Sequence, residues 1–361
     1  MPLFLCVDVG GSKTAASIAD AQGGIIGRGY AGSGNLAEVG PDRCFARIRH
    51  AVEAAIAATS VSPTEQPRED VCSLPFQDIW IGIAGCDTAV DEASITPRLS
   101  AYFQRSVTPT NDALLLASDA LLSDTRYSIA LVAGTGSVIL GLEIPPSSAD
   151  EVNIDTTGRP IVRCRKGGNG HLLGDHGSAY HLGVTAARIA ADDHSMRRPT
   201  DSPLYASLCS HYGVANPGDL PARIHQLDSK LDVITAANTR KLLIATSSAL
   251  ILHSIAQPQA DPLGFRIIQS CIEILAADIH DVTLALSQQT RHDIDGGFQL
   301  AQATLAMTGG IAARPSFREM LVRALSEKGV VFAGTTFVEH AGDHGAIGLS
   351  RAWARAAGKG D

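Results

Sequence analysis

Three glycine-rich turns constrain this chain more than any other feature, and each follows an apolar, strand-like run. The turns are Asp8-Val9-Gly10-Gly11-Ser12-Lys13-Thr14, Gly134-Thr135-Gly136-Ser137 and Thr308-Gly309-Gly310-Ile311. Glycine lets the backbone approach a phosphate closely, and backbone N–H and hydroxyl groups then donate to the phosphate oxygens. One such turn is weak evidence, but three turns spread over both halves of the chain predict a nucleotide held between two lobes.

Length and charge narrow the class of protein. The 361 residues suffice for two domains, and a net charge of −8 gives little electrostatic support for a nucleic-acid partner. The start of the chain has no basic leader, and the most apolar stretch, 242–256, is too short and polar to span a bilayer. The seven cysteines are scattered, with no C-x-x-C pair, which favours free thiols. We therefore expect a cytoplasmic protein with no membrane partner.

The first part of the chain has the pattern of a β-β-β-α-β unit. Glycine pairs and alternating apolar residues predict strands over 3–9, 15–20, 25–30 and 78–85, a hairpin at Gly23-Gly24, a helix over 43–58 and a polar loop over 59–77. Such an order is typical of a compact mixed sheet.

A second unit is predicted to begin near Ala113. It contains a strand pair over 128–132 and 137–142, a polar loop insertion over 145–160, and long helices over 177–191, 235–256 and 262–287. The last of these carries an apolar stripe that predicts core packing, formed by Phe265, Ile268, Ile272, Leu275, Ile279 and Val282. A final helix over 345–357 is expected to pack back across the junction of the lobes.

Two aspartates stand next to these turns. Asp8 ends the first strand, where its carboxylate either holds Mg²⁺ through water or caps the turn, and Lys13 points to a phosphate or to solvent. Asp112 stands between a strand and a helix near the expected lobe junction. It is either a helix cap or a general base that takes the proton of an acceptor hydroxyl.

Two further loops are rich in glycine and polar residues. The stretch 166–179 is too dense in glycine for ordinary structure, and its Asp175 either caps the following helix or binds a polyol. His171 and His176 have no carboxylate or thiol at ligand spacing, so a metal site there is disfavoured. In Gly32-Ser33-Gly34-Asn35, the Asn35 amide can donate to and accept from a ligand, although a plain turn explains it equally well.

The ordered motifs resemble a known family. VDVGGSKT, GSGN, TNDA, AGTGS, GGNGHLLGDHGSA and TGGIA are similar to motifs of the N-acetylglucosamine kinase group in the BadF/BadG/BcrA/BcrD ATPase-like family, which belongs to the actin/hexokinase/Hsp70 ATPase superfamily. The resemblance covers residues 3 to about 350. The GDHGSA segment, close to the family's GDEGSA, is its most specific part.

The resemblance implies an α/β, two-lobe actin-like ATPase (ribonuclease H-like) fold with a cleft between the lobes. Residues 1–112, completed by the C-terminal helix 345–361, would form one lobe, and 113–344 the other. The implied cofactors are ATP and Mg²⁺, with Asp8 as metal ligand. The implied nucleotide contacts are Gly10, Gly11, Ser12, Lys13, Thr14, Gly134, Thr135, Gly136, Ser137, Gly309 and Gly310. The implied sugar contacts are Asn35, Asp112, Thr135, Gly168, Asn169 and Asp175, with Asp112 as catalytic base.

The implied activity is phosphorylation of N-acetyl-D-glucosamine to its 6-phosphate, and a homodimer is the expected assembly. Two residues depart from the family pattern: Asn169 replaces the usual Trp and His176 the usual Glu. Loss of an aromatic residue beside the sugar leaves glucosamine or an N-acetylmuramate-type sugar as an alternative substrate. A non-kinase ATPase or activator of the same superfamily, and a non-catalytic binder, also stay open on the sequence.

Overall fold

The computed structural model describes residues 2–61, 71–123, 125–144, 160–291 and 297–358. The predicted loop insertion over 145–160 therefore lies outside the described residues, except for Pro160, and so does part of the predicted loop over 59–77. The described chain forms two mixed sheets of five strands each, and each sheet packs in an apolar core of its own.

The first sheet has the strand order β3-β2-β1-β4-β5. Its strands are β1 (Phe4–Val9), β2 (Lys13–Ala19), β3 (Ile25–Gly32), β4 (Asp78–Ile83) and β5 (Thr110–Asn111). The first three form an antiparallel meander, and β4 and β5 join β1 in parallel. The predicted hairpin at Gly23-Gly24 is confirmed, with Gly23 in the left-handed region at φ +78°. The β-β-β-α-β order is confirmed as well.

The helices of this sheet are α1 (Leu36–Ala57) and α2 (Ala89–Phe103). The predicted start of α1 at Arg43 was wrong, because the helix begins at Leu36 and is kinked at Gly40, where φ is +76°. Gly40 and Pro41 interrupt the helical pattern in the sequence and so conceal the first turn. The side chain of Asn35 caps this early start by accepting a hydrogen bond from Ala37 N at 3.1 Å.

The second sheet has the order β10-β9-β6-β7-β8. Its strands are β6 (Tyr127–Ala133), β7 (Ser137–Glu143), β8 (Ile161–Gly167), β9 (Ala303–Thr308) and β10 (Gly334–Phe337). Again the first three strands form an antiparallel meander and the last two are parallel to its first strand. Taken from β8, the second sheet repeats the topology of the first, although no short repeat is visible in the sequence.

The helices that accompany the second sheet pack on it or on one another. They are α3 (Ser118–Ser123), α4 (Ala179–Ser195), α5 (Pro203–Tyr212), α6 (Leu220–His225), α7 (Val233–Thr246), α8 (Ser248–Ile255), α9 (Pro262–Thr290) and α10 (Pro315–Glu327). The single helix predicted over 235–256 was wrong, since α7 and α8 break at the buried Ser247. Along α9, Phe265 lies beside the buried stripe and is 46% exposed, so its predicted core position was also wrong. Within the described ranges, no helix has the length and apolar character needed to cross a membrane.

The final helix α11 (Ala341–Ala356) packs on β1, β2 and β4 of the first sheet. Ser17 Oγ and the Arg28 guanidinium both donate to the carboxylate of Asp343, at 2.6 Å and 2.9–3.1 Å. A Cβ on Gly345 would lie 2.3 Å from Cys6 Sγ, so the close approach of helix and strand requires glycine. A 3₁₀ helix, Asp112–Ala117, contacts α11 and strands of both sheets, and therefore lies where the two sheets meet.

Candidate active site

Asp8 and Asp112 come together around Gly82. Asp8 in β1 pairs with Gly82 in β4, and Gly82 pairs on its other side with Thr110 in β5. A Cβ on Gly82 would lie 3.0 Å from Asp112 Cα and 2.6 Å from the Leu115 side chain. The missing side chain thus leaves room for the 3₁₀ helix to bring Asp112 beside the end of β1.

Both carboxyl groups are hard to ionise. Burial raises the pKa of Asp8 to about 6, although the nearby positive charge of Lys13 lowers it in part. Burial also raises the pKa of Asp112 to about 6, and the negative charge of Asp8 adds to that increase. A carboxylate with a pKa near the working pH is a better proton acceptor than one that ionises near 4.

The carboxylate of Asp8 accepts no hydrogen bond from the described residues. The turn that follows it is closed by the backbone, because Gly10 N donates to Lys13 O at 2.9 Å. The alternative that Asp8 caps this turn is therefore wrong. Lys13, Ser12 and Gly11 are exposed, and Thr14 is buried with its hydroxyl donating to Gly32 O at 3.0 Å.

Asn111 orients the segment that carries Asp112. Its side-chain oxygen accepts from Ala113 N at 2.9 Å and caps the 3₁₀ helix, and Asp112 Oδ1 accepts from the same N–H group at 3.0 Å. Its amide group donates to Asp87 Oδ1 at 2.8 Å. The sequence interpretation missed this role, although an Asn that directly precedes a helix start is a recognisable cap signal.

Asn35 lies close to the first glycine turn. A Cβ on Gly11 would lie 3.9 Å from its Nδ2, and a Cβ on Gly85 would lie 2.5 Å from its Oδ1. Because Oδ1 already caps α1, the Nδ2 group is the part of this side chain that remains for a ligand. Asn35 therefore caps α1 through Oδ1, and its Nδ2 group can still serve the predicted contact with a ligand.

The second glycine turn is fixed by backbone hydrogen bonds. Gly134 N donates to Gly136 O at 2.9 Å, and Gly134 O accepts from Ala179 N at 2.8 Å. The Ser137 hydroxyl donates to His176 O at 2.6 Å, which ties this turn to the glycine-dense loop. Thr135 is exposed at the tip of the turn.

The third glycine turn lies against the second. Gly309 has a φ of +98°, and a Cβ at this position would lie 2.4 Å from Ala133 O. Ile311 N donates to the same carbonyl oxygen at 3.0 Å. Gly310 is exposed, and a Cβ there would meet nothing within 4 Å. The chain thus holds the predicted adenosine turn next to the predicted phosphate turn.

Asp175 is the residue of the glycine-dense loop that is both buried and unpartnered. It is 5% exposed, its φ is +61°, and its Oδ1 has no hydrogen-bond partner among the described residues. Its Oδ2 would lie 2.8 Å from a Cβ on Gly136. Ser178 caps α4, so the alternative that Asp175 is the cap is wrong. A buried carboxylate oxygen without a partner is costly unless a ligand satisfies it, and a sugar hydroxyl would do so.

The other predicted sugar contacts in this loop are open to solvent. Gly168 and Asn169 are exposed, and the Arg165 guanidinium donates to Gly168 O at 2.8 Å. Gly168 N donates to Ser137 O at 2.8 Å, a second link to the phosphate turn. Gly168 is thereby fixed in place, whereas nothing in the described chain fixes the Asn169 side chain.

The predicted site residues form two groups, one on each sheet. The first group gathers around Asp8, and the second around Gly136. The two groups are linked by apolar packing, since Ala113, which follows Asp112, shares a cluster with Val132 and Val138 on either side of the second turn. The 3₁₀ helix thereby joins the predicted base to the predicted phosphate turn.

Asp8 is the predicted metal ligand of this site. Within the described ranges, no group of three or more His, Cys, Asp and Glu residues is able to hold a metal ion. Asp8 alone suits Mg²⁺, which retains several waters and is commonly bound by one or two carboxylates together with substrate phosphates. The unbonded carboxylate of Asp8 fits that requirement.

The fold defines the general class of protein. No family model matches the chain. Its two sheets and helices have the two-domain, actin-like ATPase arrangement, so the predicted fold class is confirmed. A Porphyromonas gingivalis protein proposed to be an N-acetylglucosamine kinase superposes with a TM-score of 0.59 at 18% identity, covering 97% of this chain and 98% of that one. A ROK family glucokinase from Streptomyces griseus, solved with glucose and AMPPNP, gives 0.51 at 15% identity, covering 98% and 99%.

Curated relatives are more specific. Over 191 residues the chain is 27% identical to an N-acetyl-D-glucosamine kinase of Dictyostelium discoideum, covering 52% of this chain and 53% of the relative. Over 198 residues it is 25% identical to an N-acetylmuramic acid/N-acetylglucosamine kinase of Clostridium acetobutylicum, covering 55% and 56%. The chain thus spans about half the length of the curated relatives it matches. The predicted resemblance to N-acetylglucosamine kinases is confirmed as a similarity.

Proposed function

We propose that this protein transfers a phosphoryl group from ATP to an amino sugar, with N-acetyl-D-glucosamine as acceptor and its 6-phosphate as product. The observation that carries the proposal is the position of Asp175, whose Oδ1 is buried and unpartnered and whose Oδ2 lies close to Gly136 of the phosphate turn. A polyol bound there would lie next to the phosphates of a nucleotide. The similarity to curated sugar kinases supports the same chemistry.

In this proposal Asp112 is the general base. Its carboxylate takes the proton of the sugar hydroxyl as that oxygen attacks the terminal phosphate. Asp8 would hold Mg²⁺, and the ion would supply positive charge that neutralises the phosphates. Because both carboxyl groups have pKa values near 6, most of each is ionised at neutral pH, and a fall of about one pH unit protonates half of it.

The glycine turns bind the nucleotide. In the turns Gly10–Thr14 and Gly134–Ser137, the exposed hydroxyls of Ser12 and Thr135 and the amides not used within each turn donate to its phosphates, and Gly309-Gly310 lies against the adenosine. Asn35, Thr135, Gly168, Asn169 and Asp175 contact the sugar. Closure of the two lobes excludes water and so suppresses hydrolysis of ATP.

The proposal includes a division into lobes and a cellular setting. Residues 1–112 with 345–361 form one lobe and 113–344 the other, in keeping with the packing of α11 on the first sheet. The enzyme works in the cytoplasm as a homodimer, on ATP and a small amino sugar. These points rest on the resemblance and on the composition of the chain.

One observation favours a second substrate, an amino sugar with a carboxylate such as N-acetylmuramate. Arg240 and Lys241 on α7 lie near the glycine-dense loop, since their positive charges, together with burial, lower the pKa of His171. Neither cation forms an ion pair with a described residue. A carboxylate on the sugar would supply the missing counter-charge, and the small Asn169 leaves room for it.

The test is ADP release from Mg-ATP by the purified protein, with N-acetylglucosamine, glucosamine, N-acetylmuramate, N-acetylmannosamine and glucose offered separately. We expect strong stimulation by N-acetylglucosamine. Preference for N-acetylmuramate would establish the second candidate. ATP binding without stimulation by any sugar would contradict the kinase proposal and favour an activating ATPase or a regulator.

A further inference from the structure

The backbone around Asp175 is held in an unusual conformation. Asp175 and Gly177 both have φ in the left-handed region, at +61° and +79°. A residue other than glycine rarely adopts this conformation unless its surroundings enforce it, and such residues concentrate at functional sites. The contacts that could hold this backbone conformation involve His176, which lies between the two residues.

His176 makes contacts in three directions. Its Nδ1 lies 2.6 Å from Asp278 Oδ2 on α9. Since an ionised carboxylate accepts only, Nδ1 carries the proton and donates. Its carbonyl oxygen accepts from Ser137 of the phosphate turn. Its ring lies 5.2 Å from that of His181, whose Nδ1 accepts from Gly177 N at 3.0 Å.

Asp278 is fixed in turn by a neighbouring strand. Its Oδ1 forms an ion pair with Lys166 Nζ at 2.9 Å, and Lys166 also pairs with Asp281 one turn further along α9. Asp278 is buried, and its two oxygens contact the partly exposed side chains of Lys166 and His176. The carboxylate therefore provides a rigid anchor for the His176 ring.

We propose that His176 is a positioning residue, an inference that rests on the proposed function. By donating to Asp278, His176 fixes the left-handed turn at Asp175. This turn directs the unpartnered Oδ1 of Asp175 at the sugar. A glutamate, which the resembled family has at this position, has no proton to donate to Asp278 when ionised. The hydrogen bond from His176 to Asp278 thus depends on the histidine that replaces the glutamate of the resembled family. We expect the effect of His176 and Asp278 on the sugar to act through Asp175.

Four variants test this role. His176→Ala removes the donor, and His176→Asn keeps an N–H group near the position of Nδ1. Asp278→Asn removes the charged acceptor. Asp281→Asn is the matched control, because it alters the same helix and the same lysine without touching His176.

Two readouts separate positioning from general stability. The first is the KM for the sugar against the KM for ATP. We expect His176→Ala and Asp278→Asn to raise the sugar KM about tenfold and to change the ATP KM by less than about twofold. His176→Asn recovers most of the loss, and Asp281→Asn stays near the unmodified protein.

The second readout is amide hydrogen exchange at Gly177 and Ser178 in the ligand-free protein, which needs no substrate. We expect faster exchange there in His176→Ala, slower exchange again in His176→Asn, and no change in Asp281→Asn. If His176→Ala fails to fold, Asp278→Asn and His176→Asn carry the same comparison.

The outcomes distinguish this inference from the proposed function. An unchanged sugar KM, or equal losses for sugar and ATP, overturns the positioning role while the kinase stands. If no sugar stimulates ATP turnover, the proposed function fails, and exchange alone decides: unchanged exchange in His176→Ala overturns the inference. If amide exchange at Gly177 and Ser178 is faster in His176→Ala and slow again in His176→Asn, the result supports the role of His176 in fixing the turn at Asp175.

Discussion

The turn after β1 and the turn after β6 occupy equivalent places in two sheets of the same topology, yet they carry different chemistry. Each is closed by a backbone hydrogen bond of 2.9 Å, from Gly10 N in one and from Gly134 N in the other. The first follows a strand that carries Asp8, whereas the second follows Val132 and Ala133. The first sheet also presents Asp112, so both carboxylates with raised pKa values belong to that side.

Acidic charge and preformed backbone geometry thus belong to separate regions of the molecule. On the first sheet, two acidic groups share a half-buried space in which ionisation is unfavourable. On the second sheet, the proposed phosphate donors belong to a turn whose backbone is already held by the hydrogen bonds of Gly134 with Gly136 and Ala179. Changing one side and measuring whether the other responds tests this separation.

The largest effect is expected from Asp112→Asn. Loss of the base should lower kcat by about 10²-fold or more, with sugar binding retained. Near-normal turnover would remove Asp112 from the mechanism.

The same variant should be more stable at neutral pH. In the unmodified protein the folded-state pKa of Asp112 is about 6, above the ordinary value of 3.8. Ionisation of Asp112 therefore lowers the free energy of unfolding as pH rises from about 4 to 6. The amide should therefore raise the free energy of unfolding by about 1–2 kcal/mol above pH 6 and by little below pH 4. Denaturant melts at pH 4 and pH 7 measure this, and a gain of equal size at both would contradict it.

Asp175→Ala should have the next largest effect. A bound sugar would lose the partner of a buried hydroxyl, so we expect affinity for the sugar to fall about 10–100-fold while ATP affinity changes little. Calorimetry with each ligand separately measures both values, with Asp175→Asn as the isosteric control. Equal losses for both ligands would indicate that Asp175 only supports the loop.

A smaller effect is expected from Gly309→Ala. The added Cβ would lie 2.4 Å from Ala133 O at a φ of +98°, so the second and third turns must separate. We expect the free energy of unfolding to fall by about 1–3 kcal/mol, and the affinity for ATP to fall more than the affinity for the sugar. Gly310→Ala, where the Cβ meets nothing within 4 Å, is the control for stability. Equal destabilisation by the two variants would contradict the close contact.

The smallest effect lies within the carboxylate pair. Asp8→Asn removes a negative charge beside Asp112, so the pKa of Asp112 should fall. Titration of the ¹³C-labelled Asp112 carboxyl in the ligand-free protein measures it. Lys13→Met should shift the pKa of Asp8 upward in the same assay, since the lysine lowers it. An unmoved Asp112 midpoint would show that burial alone sets its pKa.

The strands and turns were predictable because their signals are local. Alternating apolar residues and glycine pairs locate β1, β2 and β6 within two residues, and the same turns point to a nucleotide. Asp8 and Asp112 stand directly at strand ends, where their chemistry can be anticipated. The assignment of individual site residues and of the lobe boundaries stays a prediction.

What escaped prediction depends on contacts between distant segments. Gly82 lies inside an apolar strand, and its purpose, to admit the segment that carries Asp112, becomes visible only when β5 is paired with β4. The partner of His176 is Asp278, a hundred residues further along the chain, and no local pattern connects them. The early start of α1 was hidden by Gly40 and Pro41, which break the pattern on which a helix is recognised.

The packing of α11 on the first sheet bears on the order in which the protein is built during synthesis. Phe4 and Cys6 on β1 share an apolar cluster with Ala346 and Trp353, and the rings of Phe4 and Trp353 are 5.8 Å apart. The ribosome makes β1 more than three hundred residues before α11. The face of the first sheet that α11 covers therefore stays exposed through most of translation. The second sheet, whose strands and helices all lie between, can bury its core sooner. The strand that carries Asp8 therefore gains its full set of neighbours only when the last helix docks.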